Sequence, residues 1–131
     1  MRILKNILFL TLAVLISSCV SSKKFPTSSV VPAANITAKK RVDNQKNFSL
    51  EITSQNLASP DRLNPPGSNY SVWIVSKEHG TKNVGQLIVE NGKENKFKTV
   101  TPFDFDEIFI TVENQGDLQY PRGVEIARTR L

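Results

Sequence analysis

An all-β fold, an antiparallel sandwich of about seven strands, is predicted by three observations. Short apolar runs recur with the two-residue period of strands, turn residues separate them, and no ten-residue stretch between them has helical periodicity. The clearest alternation is Phe48, Leu50 and Ile52 against Ser49, Glu51 and Thr53, one face wet and one buried. The runs Tyr70-Ser-Val-Trp-Ile-Val75 and Ile108-Phe-Ile-Thr-Val112 are apolar on nearly both faces, which predicts central strands. Shorter candidates at 36–42, 84–89, 96–100 and 123–128 complete the set.

The punctuation between these runs is chemically specific. His79-Gly80, Asn91-Gly92 and Gln115-Gly116 are turn signals, and Asn91-Gly92 is the strongest hairpin signal because both residues tolerate the positive φ of a type I′ turn. Residues 58–69 break the rhythm with Pro60, Pro65, Pro66 and Gly67. That stretch predicts a crossover between two sheets, with a binding loop as the alternative. Spacing and strand number together argue for an antiparallel sandwich or barrel over residues 36–131, and of the two the expectation is an immunoglobulin-like sandwich.

What precedes the strands reads as an address. Arg2 and Lys5 form a positive start, Ile7–Ile16 is apolar except for Thr11, and Ile16-Ser17-Ser18-Cys19 has the small residues and thiol of a bacterial lipoprotein signal. A ten-residue helix would reach about 15 Å, half of a hydrocarbon core of about 30 Å, too short for a permanent span. The expectation is a signal peptide at 1–18 that is removed, and diacylglycerol on the sulfur of Cys19 with an acylated new amino terminus. Two or more acyl chains anchor a protein stably where one holds only marginally. The membrane, through acylated Cys19, is therefore the expected first partner. Val20 follows the cysteine in place of the aspartate that marks inner-membrane retention in lipoproteins resembling this one. Ser21-Ser22-Lys23-Lys24 is basic, unlike the acidic surface-export signals. Both features favour the periplasmic face of the outer membrane. Residues 19–35, rich in serine and broken by Pro26 and Pro32, are expected to be a lipidated flexible tether.

Composition narrows the function classes. Of 17 basic side chains, Arg2 and Lys5 leave with the leader, so 15 face 12 acidic ones, a formal +3. Lys39-Lys40-Arg41 is too short a run to argue for nucleic acid and is expected on a solvated strand edge. Cys19 is the only cysteine, so with its thiol acylated the mature chain forms no disulfide and must rely on packing. No catalytic constellation stands out. His79, the only histidine, lies in a polar turn without partners for a triad or a zinc site. Asp104, Asp106 and Glu107 alternate with Phe103 and Phe105, as expected of a strand with carboxylates outward. Calcium or glycoside chemistry is the alternative. The sequence thus predicts no cofactor, no metal and no enzymatic activity.

Four pieces of the chain resemble the carboxyl-terminal domain of anti-sigma-K factors: Tyr70-Ser-Val-Trp73-Ile-Val, Val84-Gly85-Gln-Leu87, Ile108-Phe-Ile-Thr-Val-Glu113, and Gly116 followed by Pro121-Arg-Gly123. Together they cover about half the chain. The resemblance implies an extracytoplasmic β-sandwich in which the tryptophan and the Pro-x-Gly turn are packing features. It does not carry over sigma regulation, because the sigma-binding region and full-length membrane helix of that family have no counterpart here. Trp73 is accordingly expected between the sheets, its indole N–H needing one partner. Two readings follow: a non-enzymatic envelope module that contacts another protein by a sheet surface, edge or loop, or a small-ligand or carbohydrate binder that stacks sugars on Tyr70, Trp73 or Tyr120.

Overall fold

The computed structural model describes residues 19–90 and 93–131. The expected signal peptide and the Asn91-Gly92 turn lie outside them. The described chain is all-β, with eight strands in two antiparallel four-stranded sheets and a single 3-10 turn at Pro60–Arg62. The strands are β1 (Val20–Lys24), β2 (Asn35–Val42), β3 (Phe48–Gln55), β4 (Asn69–Ser76), β5 (Gly80–Leu87), β6 (Asn95–Thr101), β7 (Glu107–Glu113) and β8 (Val124–Arg130). The first sheet runs β1-β2-β3-β6 and the second β5-β4-β7-β8.

Seven of the strands answer to the expected runs, and the two runs that are apolar on both faces are the interior strands β4 and β7. The core lies between the sheets. Ile36, Ala38, Leu50 and Ile52 of the first sheet meet Tyr70, Val72, Ile74, Ile108 and Ile110 of the second in one buried cluster. Fully burying side chains of this size contributes about 1.5–3 kcal/mol each, which holds the sheets face to face without a covalent link. Residues 56–68 carry the chain from the first sheet to the second, as the crossover reading expects. Tyr70 Oη ties that crossover down by donating to Ala58 O at 2.7 Å.

Three expectations are corrected here. The stretch expected to be a tether is part of the fold. All five residues of β1 pair with β2, from Val20↔Arg41 to Lys24↔Thr37. Beyond them Phe25 is buried and its N–H donates to Ile36 O at 2.9 Å, Val31 is buried, and Ser28 Oγ accepts from the N–H groups of Val30 and Val31. Every β1 side chain is exposed, so backbone pairing rather than a buried face makes the strand. Hydrophobic alternation could not announce it.

Lys39-Lys40-Arg41 is the second case. It lies on β2, which β1 covers on one side and β3 on the other, so it is not a sheet edge. Third, β5 and β6 do not form a hairpin, because they belong to different sheets. The chain turns at Gly80, with φ of 71°, so β5 starts four residues before the expected 84 and leaves its sheet after Leu87. The two strands meet instead by side-chain packing: Gly85, at φ of 138°, leaves the room that the Phe97 ring fills, since a Cβ there would stand 2.8 Å from Phe97 Cε2.

Candidate functional site

Cys19 is exposed and stands directly before β1. An open cleft of about 390 Å³ lies at this end of the molecule, lined by Cys19, Lys40, Ser76, His79, Asp104 and Phe105 among others. Lys40 organises it. The strand period turns this residue inward, opposite Leu50, at the open end of the core. Its ammonium donates to Asp104 Oδ1 and to Phe105 O, both at 2.5 Å, and lies 5.0 Å from the centre of the Phe48 ring and 4.6 Å from that of Phe105. A cation that is largely withdrawn from water thus keeps a carboxylate, a carbonyl and two ring faces. The hydrogen bond from Lys40 holds the Asp104 carboxyl below its ordinary range, against a smaller opposing effect of burial.

The Asp104, Asp106 and Glu107 group does not lie on one strand face as expected. Residues 102–106 form the connection from β6 to β7, and only Glu107 enters a strand. Phe105 is buried and Phe103 half-buried, so the inward direction of the rings is right while the ladder is missing. The physical reason is the change of sheet, which the chain makes between Thr101 and Glu107. Each carboxylate has its own cation: Asp104 has Lys40, Asp106 has Lys77 at 3.8 Å, and Glu107 has Arg128 at 2.6 Å. Among the described residues no group of three or more His, Cys, Asp or Glu side chains converges as metal ligands would. His79 is exposed in the β4–β5 turn, its ring 4.7 Å from Phe103 and its Nε2 3.9 Å from Glu78 Oε2.

The three aromatic candidates separate. Tyr70 and Trp73 are fully buried and offer no ring face to a ligand, whereas Tyr120 is 72% exposed. Trp73 is also not between the sheets. On β4 the inward positions are Tyr70, Val72 and Ile74, so Trp73 points to the outward face of the second sheet, paired with Phe109 of β7. Its Nε1 donates to Thr111 Oγ1 at 2.9 Å, and Thr111 Oγ1 donates to Glu113 Oε1 at 2.8 Å. The same Glu113 oxygen accepts from the N–H groups of Arg122 at 3.0 Å and Gly123 at 2.9 Å, and Asn83 Nδ2 donates to Leu118 O. The 114–123 segment is thereby fastened to the outward face. A side chain at 123 would strike Val112 O, so the glycine of the Pro-x-Gly turn is a packing requirement. Tyr120 overhangs an open groove beside Asn83, Gln86 and Leu118.

One surface escaped the sequence reading altogether. The register of the first sheet aligns three outward rows: Val20-Arg41-Ser49-Val100, Ser22-Lys39-Glu51-Lys98, and Lys24-Thr37-Thr53-Lys96. The alternation of Lys96, Lys98 and Val100 in the sequence was its signal, but only the pairing of β2 with both β1 and β3 places Lys24, Lys39 and Arg41 on the same face. No helix among the described residues is long and apolar enough to cross a membrane. Comparison with protein-family models, curated protein sequences and solved structures returns no match.

Proposed function

We propose that this protein is a lipid-anchored, non-enzymatic module of a bacterial cell envelope, held by acylated Cys19 at the periplasmic face of the outer membrane, whose immunoglobulin-like sandwich recognises another envelope protein. The observation that carries the reading is the position of Cys19: the residue that ends the Ile16-Ser17-Ser18-Cys19 signal is exposed at one corner of the domain, open to acyl transfer. The strand order supports an immunoglobulin-like sandwich, with β2-β3-β6 facing β5-β4-β7-β8 and β1 added outside β2. The resemblance to the anti-sigma-K carboxyl-terminal domain adds an extracytoplasmic setting and protein recognition. Antiparallel edges give such a module a route to a partner, because they offer unpaired backbone groups to an extended segment.

Anchoring is tested by Cys19→Ser, which is expected to move the protein from the membrane fraction to the soluble periplasm. Continued acyl labelling of that variant overturns the reading. Crosslinking of the acylated form in native membranes identifies the partner. A second reading, small-ligand or carbohydrate binding, is favoured by Tyr120 alone, whose exposed ring stands beside the amide side chains of Asn83 and Gln86. Loss of glycan retention in Tyr120→Ala would support it.

A further inference from the structure

We infer that the outward face of the first sheet is a docking surface for an anionic bilayer, and that the domain lies flat on the membrane with that face down. The choice of a bilayer as occupant rests on the proposed acylation of Cys19, which puts lipid beside this sheet. The face itself is argued from register and charge. Its three rows hold five cations, Lys24, Lys39, Arg41, Lys96 and Lys98, against Glu51, with Glu94 near Lys96 at the β6 end. Glu51 stands 3.8 Å from Lys98 and leaves the others in excess. The row nearest Cys19 carries Val20 and Val100, 41% and 67% exposed, beside Arg41, so the charge gives way to apolar side chains where the acyl chains would enter. No register shift interrupts the pairing of β1, β2, β3 and β6, which keeps the face regular.

The missing tether makes this geometry binding. Because β1 starts at Val20, an acyl chain on Cys19 is coupled to the sheet with no spacer, and Lys24 lies about 17 Å along the strand from the anchor. Standing on end, the domain would hold its farther rows beyond the roughly 8–10 Å over which salt leaves surface charge effective, and would press a mixed set, Asp43, Glu78 and Asp106 with Lys46 and Lys77, toward the headgroups. Lying flat brings all five cations to the anionic surface and leaves the 114–123 side of the second sheet free for a partner.

The test uses the acylated protein isolated from membranes, the soluble Cys19→Ser protein, and vesicles of phosphatidylcholine with or without phosphatidylglycerol. In the acylated protein, amine-reactive labelling of Lys39, Lys96 and Lys98 is expected to slow on phosphatidylglycerol vesicles, with Lys82 and Lys93 unchanged. In the Cys19→Ser background, Lys39→Glu, Arg41→Glu and Lys98→Glu together are expected to lower co-sedimentation with phosphatidylglycerol vesicles about a hundredfold, at about fivefold per basic residue lost. Lys82→Glu, Lys93→Glu and Arg130→Glu, an equal charge change elsewhere, are expected to retain most of it. Equal loss in the two triple variants, uniform labelling, or retention by anionic wall polymer in place of vesicles overturns the inference. The mass of the Cys19 peptide reports acylation independently: an unmodified cysteine removes the anchoring reading, while co-sedimentation still decides the face.

Discussion

Trp73 lies stacked on Phe109, ring centres 6.0 Å apart and planes 11° from parallel, on the side of the second sheet that faces away from the core. The Arg128 guanidinium covers the other end of this stack, 4.1 Å from the centre of the Phe109 ring, and is itself held by Glu107 and Glu125. The interior strands β4 and β7 are therefore buried on both faces, with the first sheet on one side and, on the other, the face to which the 114–123 segment is fastened. Trp73→Ala is expected to cost about 3–5 kcal/mol, measured by denaturant unfolding, because it empties this second layer. Trp73→Phe keeps a smaller aromatic ring against Phe109 and loses the indole donor, so a smaller loss is expected. An unchanged midpoint for Trp73→Ala would mean that the layer contributes nothing to stability.

Glu113 concentrates the polar part of the same layer. Its carboxylate is buried, and one oxygen accepts from Thr111, Arg122 and Gly123. Hydrogen bonds to a charged group are worth about 1.5–3 kcal/mol each, and donors stripped of their acceptor add a desolvation cost. Glu113→Ala is expected to destabilise by about 2–4 kcal/mol, and Glu113→Gln, which keeps a carbonyl oxygen, by less. Amide exchange at Arg122 and Gly123 separates the local effect from the global one: these protons should exchange faster in Glu113→Ala well below its unfolding midpoint.

Tyr70 makes a prediction about alkaline pH. Burial, joined by the nearby charge of Asp61, pushes its hydroxyl up to about 12 from 10.0. A folded-state value above the unfolded one means that the native chain keeps the proton longer. The stabilisation is complete below pH 10 and is lost as pH rises through the window from 10 to about 12. In Tyr120→Phe, which leaves Tyr70 as the single tyrosine, spectrophotometric titration should place the ionisation of Tyr70 well above pH 10. Tyr70→Phe removes the bond to Ala58 O, at about 1 kcal/mol, and should flatten the decline of stability above pH 10.

What could be read in the sequence is what side-chain periodicity encodes. Phe48, Leu50 and Ile52 announced β3 because one face is buried, and the doubly apolar runs around Trp73 and Phe109 announced strands that are interior in the sheet and covered on both faces. The same pattern cannot say which face meets the other sheet, which is why Trp73, expected between the sheets, lies on the opposite face. Sheet membership was equally hidden. Asn91-Gly92 suits a hairpin locally, yet β5 and β6 join different sheets, a choice made by β4 and β3 as pairing partners. Cys19 was legible as the end of a lipoprotein-like motif, while the basic face beside it was not, since it exists only once β1 pairs with β2 and aligns residues far apart in the chain.

Phe25 decides whether the amino-terminal stretch belongs to the domain. It follows β1, is only 4% exposed, and its N–H closes a bond to Ile36 O, so the chain from Val20 to Val31 is pinned at both ends. A flexible tether would tolerate any substitution there. Packing of Phe25 into the core predicts instead that Phe25→Ala costs about 3 kcal/mol or more in unfolding free energy. It further predicts faster exchange of the β1 amide protons, because the strand has no buried side chain of its own and relies on the residues after it. Phe25→Leu, which refills most of the volume, should recover much of the loss. Unaltered stability and exchange in Phe25→Ala would return residues 20–31 to the status of a linker.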